Sequence, residues 1–108
     1  MNIQVLTFQT RRHDPALCRY LSVIDLAVRE SPGILSLYWL IRKGDAPAGA
    51  VIRWRSVEDM REFRHSELYA RIAAHPNIDD FRDDAYGALP SRANVRPESF
   101  LPQLASVA

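Results

Sequence analysis

Five side chains of the sequence have the types needed for a small site built around one histidine. His65 can act as a base, because an imidazole that titrates near neutral pH can take a proton from a phenolic or enolic substrate. Tyr38, Trp54 and Tyr69 can supply aromatic walls, and Arg53 can pair with the anion that deprotonation leaves. We therefore predict a pocket between helices and sheet, with His65 as catalytic residue and the other four as substrate-binding residues.

Other catalytic patterns are absent from the sequence. The motifs HExxH, GxSxG, GxGxxG and the P-loop do not occur. His13, His65 and His75 are too far apart along the chain to form a helical metal-binding pair. The run NIDDFRDD is rich in carboxylates, but a hard cation needs a defined geometry, so we interpret the run as a solvated turn. We expect neither a metal nor another cofactor.

Composition excludes several classes of partner. The 14 basic and 13 acidic residues among 108 are interleaved, which leaves no basic surface for nucleic acid or an anionic membrane. Cys18 is the only cysteine, so no intramolecular disulfide forms and a cytoplasmic location is the default. The N-terminus lacks the pattern of a signal peptide, and the apolar run GILSLYWLI is about half the ~20 residues that span a bilayer.

Hydrophobic periodicity predicts the elements of the first half of the chain. Residues 3–8 alternate as a strand does, and Asp14 and Pro15 suit the start of a helix. The buried stripe of that helix is expected to contain Leu17, Leu21, Ile24 and Val28. A second strand over 34–42 is apolar on both faces, and a third over 50–54 returns as a hairpin. One face of the second strand is expected to carry Leu35, Leu37, Trp39 and Ile41.

A second helical region follows the third strand. Ser56 is predicted to cap it, with Asp59 three residues later where a capping box places its acid. Met60 and Phe63 are expected to face the sheet, and Ser66 is expected to begin a second segment. The charge on this region is therefore explained mainly by capping and by a solvated outer face.

The end of the chain has weaker signals. Residues 77–81 are interpreted as a turn or short helix, and residues 85–89 as a fourth strand. Two prolines in the stretch 91–108 favour an extended tail. We therefore predict one domain over residues 1–90, followed by an extended C-terminal tail over 91–108.

The order of the predicted elements indicates an α+β fold. A β-α-β-β-α-β chain closes most simply as a ferredoxin-like antiparallel sheet with its helices on one face. The other face would then expose half of the apolar residues of the second strand. Because a monomer seldom exposes so large an apolar surface, we predict a homodimer that packs sheet face to sheet face.

The run PGILSLYWLIRKGDAPAGAVIRWRSVEDMREFRHS resembles a known superfamily. Pro32-Gly33 before the second strand, and Trp54-x-Ser56 followed by acids and Phe63, resemble the dimeric α/β-barrel proteins of the antibiotic-biosynthesis-monooxygenase type. The likeness covers residues 3–90. It implies a dimeric α/β barrel in which Trp54 ends the third strand and packs near the helices. It also implies several activities, because the superfamily holds cofactor-independent monooxygenases, haem-degrading enzymes and isomerases.

Three functions stay open at this point. The resemblance favours a cofactor-independent monooxygenase that turns a small aromatic or quinol-like molecule into a carbanion, which then reacts with dioxygen. A non-catalytic small-molecule-binding or accessory protein on the same fold is the alternative. The third is a haem-binding protein that uses His65 or His75, although the haem-degrading pattern of tryptophan and histidine would fall on Phe63 and Ala73.

Overall fold

The computed structural model describes residues 2–10, 15–43 and 46–87, which form four strands and three helices. In chain order they are β1 (Asn2–Thr10), α1 (Pro15–Arg29), β2 (Ile34–Arg42), β3 (Ala46–Trp54), α2 (Val57–Arg64), α3 (Glu67–Ala73) and β4 (Ile78–Gly87). The strands form one sheet in the order β2-β3-β1-β4. All neighbouring strands are antiparallel, so the predicted ferredoxin-like fold is confirmed.

The strand β1 lies at the centre of the sheet between β3 and β4. Leu6 is opposite Ala50 on one side and opposite Asp83 on the other. Because side chains alternate along a strand, Gln4, Leu6 and Phe8 share the face that carries the helices. All three are buried. Ile3, Val5 and Thr7 belong to the opposite face, where Val5 is also buried.

The helix α1 buries the stripe that its periodicity predicts. Leu17, Leu21, Ile24 and Val28 are all buried and join the core on the helix-covered side of the sheet. Residues Met60 and Phe63 of α2 and Ile72 of α3 complete this core. Asp14, the predicted cap of α1, lies outside the described residues.

Two serine caps divide the second helical region into α2 and α3. The hydroxyl of Ser56 accepts a hydrogen bond from the amide of Asp59 at 3.1 Å, and that of Ser66 accepts one from the amide of Tyr69 at 3.1 Å. Each cap satisfies an amide that the first turn of a helix leaves without a partner. The predicted start at Ser56 and the predicted break at Ser66 are both confirmed.

The fourth strand begins seven residues earlier than the predicted start at residue 85. Residues 77–81 were expected to form a turn or short helix, but β4 begins at Ile78 and continues to Gly87. Asp80 has φ 52° beside a register shift between Thr7 and Gln9, so a bulge accommodates the polar run. As an edge strand, β4 can place its remaining carboxylates in solvent. The end of the predicted strand, residues 88–89, and the predicted tail lie outside the described residues.

The predicted apolar face of β2 was only partly right. Leu37 is 3% exposed, whereas Leu35 and Ile41 are 52% and 63% exposed. Register shifts between Ile34 and Ser36, and between Leu40 and Ile41, interrupt the alternation that the prediction assumed.

The face of the sheet opposite the helices carries several apolar side chains. Tyr38 is 62% exposed opposite Val51, and Tyr86 is 47% exposed opposite Ile3. Val5 is opposite Val51 in the middle of the same face. We call this surface the helix-free face.

Among the described residues, no helix is long and apolar enough to cross a membrane.

Candidate functional site

The interior between α2, α3 and the sheet holds a buried polar network. Trp54 is fully buried at the end of β3, and its indole Nε1–H donates to Oε1 of Gln4 at 2.9 Å. Gln4 is also fully buried, and its Nε2 donates to Oδ2 of Asp83 at 2.9 Å. Both ends of the Gln4 amide are therefore satisfied, which buried polar groups require. Trp54 thus ends β3 and packs near the helices, as the family resemblance implied.

Asp83 is the centre of this network. Arg64 donates from Nε and from a terminal nitrogen, at 2.9 and 2.6 Å, and the hydroxyl of Tyr69 donates at 2.6 Å. Burial raises the pKa of the Asp83 carboxyl, but hydrogen bonds from Arg64, Tyr69 and Gln4 outweigh it and leave the pKa below its ordinary value. Burial and the hydrogen bond to Asp83 raise the pKa of the Tyr69 phenol well above its usual range. Near neutral pH, Asp83 is therefore an anion and Tyr69 a donor.

Aromatic rings fill the space around this network. The ring centroids of Trp54 and Phe63 are 5.2 Å apart, those of Phe63 and Tyr69 are 5.5 Å apart, and those of Tyr69 and Phe81 are 5.7 Å apart. These separations are those of packed aromatic pairs. Trp54 and Tyr69 therefore both pack against Phe63 in this interior, and their role as substrate-binding residues stays a prediction.

The structure places His65 at the surface. It is the C-terminal cap of α2, its side chain is exposed, and its Nδ1 lies 2.7 Å from the carbonyl oxygen of Arg61. Because a carbonyl oxygen only accepts, Nδ1 carries the proton of this contact, and Nε2 is the basic nitrogen of the neutral ring. The role of His65 as a base stays a prediction.

Tyr38 and Arg53 lie on the helix-free face. Tyr38 is opposite Val51, and Arg53 is opposite Ile3, so both point away from the side of the sheet that holds Trp54 and Tyr69. The five predicted site residues are consequently divided among two faces of the sheet and the end of a helix. Their shared role in one site stays a prediction.

A different cleft opens between α1 and the β2–β3 hairpin. Its volume is 340 Å³, and its walls are mainly apolar. The α1 wall consists of Cys18, Leu21, Ser22 and Asp25. The β wall consists of Trp39, Leu40, Ile41 and Pro47. Such a volume lies within the range of small-molecule sites, which combine apolar walls with a few polar groups. We call it the α1–β2 cleft.

Asp25 and Trp39 are linked across the cleft. The Trp39 Nε1–H donates to Oδ1 of Asp25 at 2.7 Å, and Nε of Arg29 lies 3.0 Å from both carboxylate oxygens. Arg29 also donates to the carbonyl oxygen of Leu37 at 3.1 Å, which fixes the guanidinium on β2. The hydrogen bonds from Trp39 and from Arg29 lower the pKa of the Asp25 carboxyl. The cleft therefore presents an anionic acceptor at neutral pH.

The sequence interpretation missed this pair. Cys18, Ser22 and Asp25 follow one another at helical spacing along the flank of the buried α1 stripe, which is the signal that places them on one wall. Nothing in the sequence alone shows that Trp39, on another element, would turn its indole toward Asp25.

Comparisons with solved structures agree with this architecture. A putative antibiotic biosynthesis monooxygenase from Deinococcus radiodurans matches with a TM-score of 0.69 at 23% identity, covering 83% of this chain and 94% of its own. The cofactor-independent oxygenase SnoaB from Streptomyces nogalater, solved as a mutant, matches at 0.62 and 14% identity, covering 85% and 97%. This chain has the fold of the antibiotic-biosynthesis-monooxygenase-like proteins. No protein-family model and no curated protein sequence matches it.

The monooxygenase-like fold also includes a haem-degrading protein. MhuD from Mycobacterium tuberculosis, solved with two haems in its active site, matches with a TM-score of 0.64 at 20% identity, covering 83% of this chain and 97% of its own. The two positions where the haem-degrading pattern would place tryptophan and histidine carry Phe63, which is buried against Trp54, and Ala73. None of the residues that line the α1–β2 cleft is a histidine. The described donors therefore do not fit the haem-degrading arrangement.

Proposed function

We propose that this protein binds a small aromatic or quinol-like molecule in the α1–β2 cleft and oxygenates it without a cofactor. The observation that carries the proposal is the cleft itself: 340 Å³ of mainly apolar space, lined by the indole of Trp39 and by one carboxylate. A flat aromatic molecule suits such a wall, because aromatic rings gain both area burial and a favourable ring contact. The shared fold with SnoaB supports oxygenation as the reaction to test first.

The reaction balances without a metal or flavin. We take 1,4-dihydroxynaphthalene as the probe substrate. Loss of a phenolic proton gives an electron-rich anion that can donate electrons to dioxygen. One oxygen atom then enters the ring and the other leaves as water, so the dihydroxynaphthalene and O₂ become 2-hydroxy-1,4-naphthoquinone and H₂O. The substrate supplies every electron, and the protein needs to bind, orient and assist deprotonation.

His65 is proposed as the base of this reaction. It is not among the residues that line the cleft, so proton transfer through it requires the phenolic oxygen to reach the end of α2. The variant His65→Gln tests the proposal, with His75→Gln as the matched control. His75 lies at a comparable helix end, and its Nδ1 accepts from the amide of Asn77 at 3.1 Å. Loss of oxygenation in the first variant alone would support the role of His65.

A non-catalytic binding protein is the second candidate. Two observations favour it: the space beneath α2 and α3 is filled by aromatic rings, and His65 is exposed. A protein of this kind would bind the same molecules in the α1–β2 cleft and leave them unchanged.

One experiment separates the two candidates. Wild-type protein and Trp39→Phe are mixed with 1,4-dihydroxynaphthalene under ¹⁸O₂, and oxygen uptake, hydrogen peroxide and the quinone product are measured. Oxygenation gives a labelled hydroxyquinone without peroxide, at a rate lowered in Trp39→Phe. Binding without catalysis gives quenching of tryptophan fluorescence, but only the slow background conversion to unlabelled quinone and peroxide. Tyr86→Phe, at an exposed position that is not among the predicted site residues, is the control that should behave as the wild type.

Haem is tested in the same preparation. Haem is added to the wild type and to each histidine variant. A shifted Soret band in the wild type that is lost in His65→Gln or in His75→Gln would support haem binding, the third function, instead. An unshifted spectrum of free haem would count against it.

We also propose that the protein is a homodimer joined through the helix-free face. Tyr38, Val51 and Tyr86 give this face an apolar surface that a second copy would cover. The wild type should have twice the 12.3 kDa chain mass in analytical ultracentrifugation. Val51→Asp should dissociate it, whereas Val23→Asp, at a position 75% exposed on α1, should not. A monomeric wild type, or a dimeric Val51→Asp, would contradict this interface.

A further inference from the structure

The polar groups of the α1–β2 cleft lie on one wall. Cys18, Ser22 and Asp25 come from successive turns of α1, and of these three Asp25 is the charged one. The opposite wall, from β2 and β3, is apolar apart from the indole N–H of Trp39, which already donates to Asp25 at 2.7 Å. A molecule in the cleft therefore meets one anionic acceptor, two small polar side chains on the same wall, and an otherwise mainly apolar surface.

The carboxylate of Asp25 has acceptor capacity left for such a molecule. A carboxylate offers about four acceptor positions. Oδ1 accepts hydrogen bonds from Trp39 and Arg29, while among the described residues Oδ2 accepts one from Arg29 at 3.0 Å. Arg29 pairs with this carboxylate but is not among the residues that line the cleft, so the charged side chain on the cleft wall is that of Asp25.

Ionisation of Asp25 agrees with this geometry. The hydrogen bonds from Trp39 and from Arg29 lower the pKa of its carboxyl, so the acceptor is an anion throughout the neutral range. A phenol hydroxyl or aryl amine placed at the cleft can donate to it. An aryl carboxylate has no donor to offer, and it would bring a second negative charge to the carboxylate side of the Asp25–Arg29 ion pair.

We infer that Asp25 is a specificity-determining residue that selects uncharged aromatic molecules with a hydroxyl or amine donor and rejects aryl carboxylates. This inference rests on the proposed function, since it names the ligand class of the same cleft. It also defines the orientation of the ligand, because one donor must point toward α1 while the ring lies against the β wall. For 1,4-dihydroxynaphthalene, the second hydroxyl is then the one that must reach His65.

Three bicyclic probes of nearly equal shape test the inference. 2-Naphthol carries a donor, 2-methoxynaphthalene carries none, and 2-naphthoate carries a negative charge. Cys18 is the only cysteine of the chain and lines the cleft, so its alkylation by uncharged iodoacetamide, followed by mass spectrometry, reports on cleft occupancy. Protection of Cys18 at increasing probe concentration gives an apparent affinity for each probe.

The expected ranking in the wild type has 2-naphthol about tenfold tighter than 2-methoxynaphthalene, with 2-naphthoate weakest. Asp25→Asn should reduce the preference for the naphthol several-fold and relieve the penalty on the naphthoate. Glu30→Gln, an exposed acid just after α1, is the control and should keep the wild-type ranking. Circular dichroism is used to check that each variant is folded. If Asp25→Asn does not fold, the ranking of the three probes in the wild type still tests the inference.

The outcomes distinguish the inference from the proposed function. If no probe protects Cys18, the cleft does not bind aromatic molecules and the proposed function fails. If the three probes protect equally, or if 2-naphthoate binds best, the inference about Asp25 is overturned while binding in the cleft stands. An unchanged ranking in a folded Asp25→Asn variant overturns it as well.

Discussion

The substitution Asp83→Asn should weaken the fold through one carboxylate with three partners. Asp83 accepts from Arg64, Tyr69 and Gln4 at distances between 2.6 and 2.9 Å, and it joins β4 to α2, α3 and β1. Asparagine has nearly the same shape but no charge, and its NH₂ group cannot accept. The variant therefore keeps the packing and removes the charge-assisted hydrogen bonds.

The magnitude follows from the exposure of the two ionic partners. A hydrogen bond to a charged group contributes about 1.5–3 kcal/mol, and breaking a buried ion pair costs about 3–5 kcal/mol. The side chain of Asp83 is 12% exposed, but that of Arg64 is 30% exposed, so the guanidinium can recover contacts with water. We expect the free energy of unfolding to fall by about 2 kcal/mol at pH 7, below the fully buried case.

Urea denaturation at several pH values measures this effect. The pKa of Asp83 is lowered by folding, so its contribution is complete above the unfolded value of about 3.9 and is lost as the pH falls through the folded value. The gap between wild type and Asp83→Asn should be widest near pH 7 and should shrink below about pH 4. Glu30→Gln is the control, since it removes one exposed carboxylate just after α1, away from the helix-free face. Equal stability of the two variants at pH 7 would refute the reasoning.

Three further predictions concern single positions. Gly33→Ala should lower the free energy of unfolding, measured in urea, by about 1–3 kcal/mol. Gly33 has φ 81°, and an added Cβ would lie 2.2 Å from an oxygen of Asp59. An unchanged free energy of unfolding would contradict this prediction. Ser56→Ala should cost about 1 kcal/mol by removing the α2 cap, and Ser56→Asn should restore most of it. Ultraviolet titration should show one of the four tyrosines ionising far later than the others, and Tyr69→Phe should remove that late step.

Regular periodicity made much of the fold predictable from the sequence. The stripe of α1, including Leu17 and Val28, follows from a spacing that only a helix places on one side. The caps Ser56 and Ser66 are local, since each hydroxyl meets an amide three residues away. These features depend on neighbours in the chain, which a sequence shows directly.

The start of β4 was not predictable in the same way. Asp83 enters a strand because Arg64 and Tyr69, 19 and 14 residues away in sequence, supply donors for its carboxylate. A run of aspartates without those partners is typical of a turn, which is how residues 77–81 were interpreted. Local propensity was overruled by contacts between elements.

The candidate site was predictable only in part. Trp54 and Tyr69 come together, but the direction of His65 depends on the residue at which α2 ends, and helix ends vary by one or two residues. The pairing of Asp25 with Trp39 joins α1 to β2 across 14 residues. Such a contact follows from the three-dimensional arrangement and leaves no periodic trace in the sequence.

The position of β1 in the sheet has a consequence for biosynthesis. This strand is synthesised before the other three, yet one of its edges pairs with β4, which ends at Gly87. Between the end of β3 at residue 54 and residue 87, 33 residues must be added, which takes roughly 2–7 s at bacterial and eukaryotic elongation rates.

During that interval the nascent sheet has an unpaired edge beside Val5, Leu6 and Phe8. An open apolar edge is a template for pairing with another chain, so crowded polysomes would expose neighbouring nascent chains to each other at this strand. Slower elongation before codon 87 would lengthen the exposure and lower the yield of folded protein, whereas holdase chaperones that cover β1 would raise it. The central strand of the finished sheet is thus the most vulnerable strand of the unfinished one.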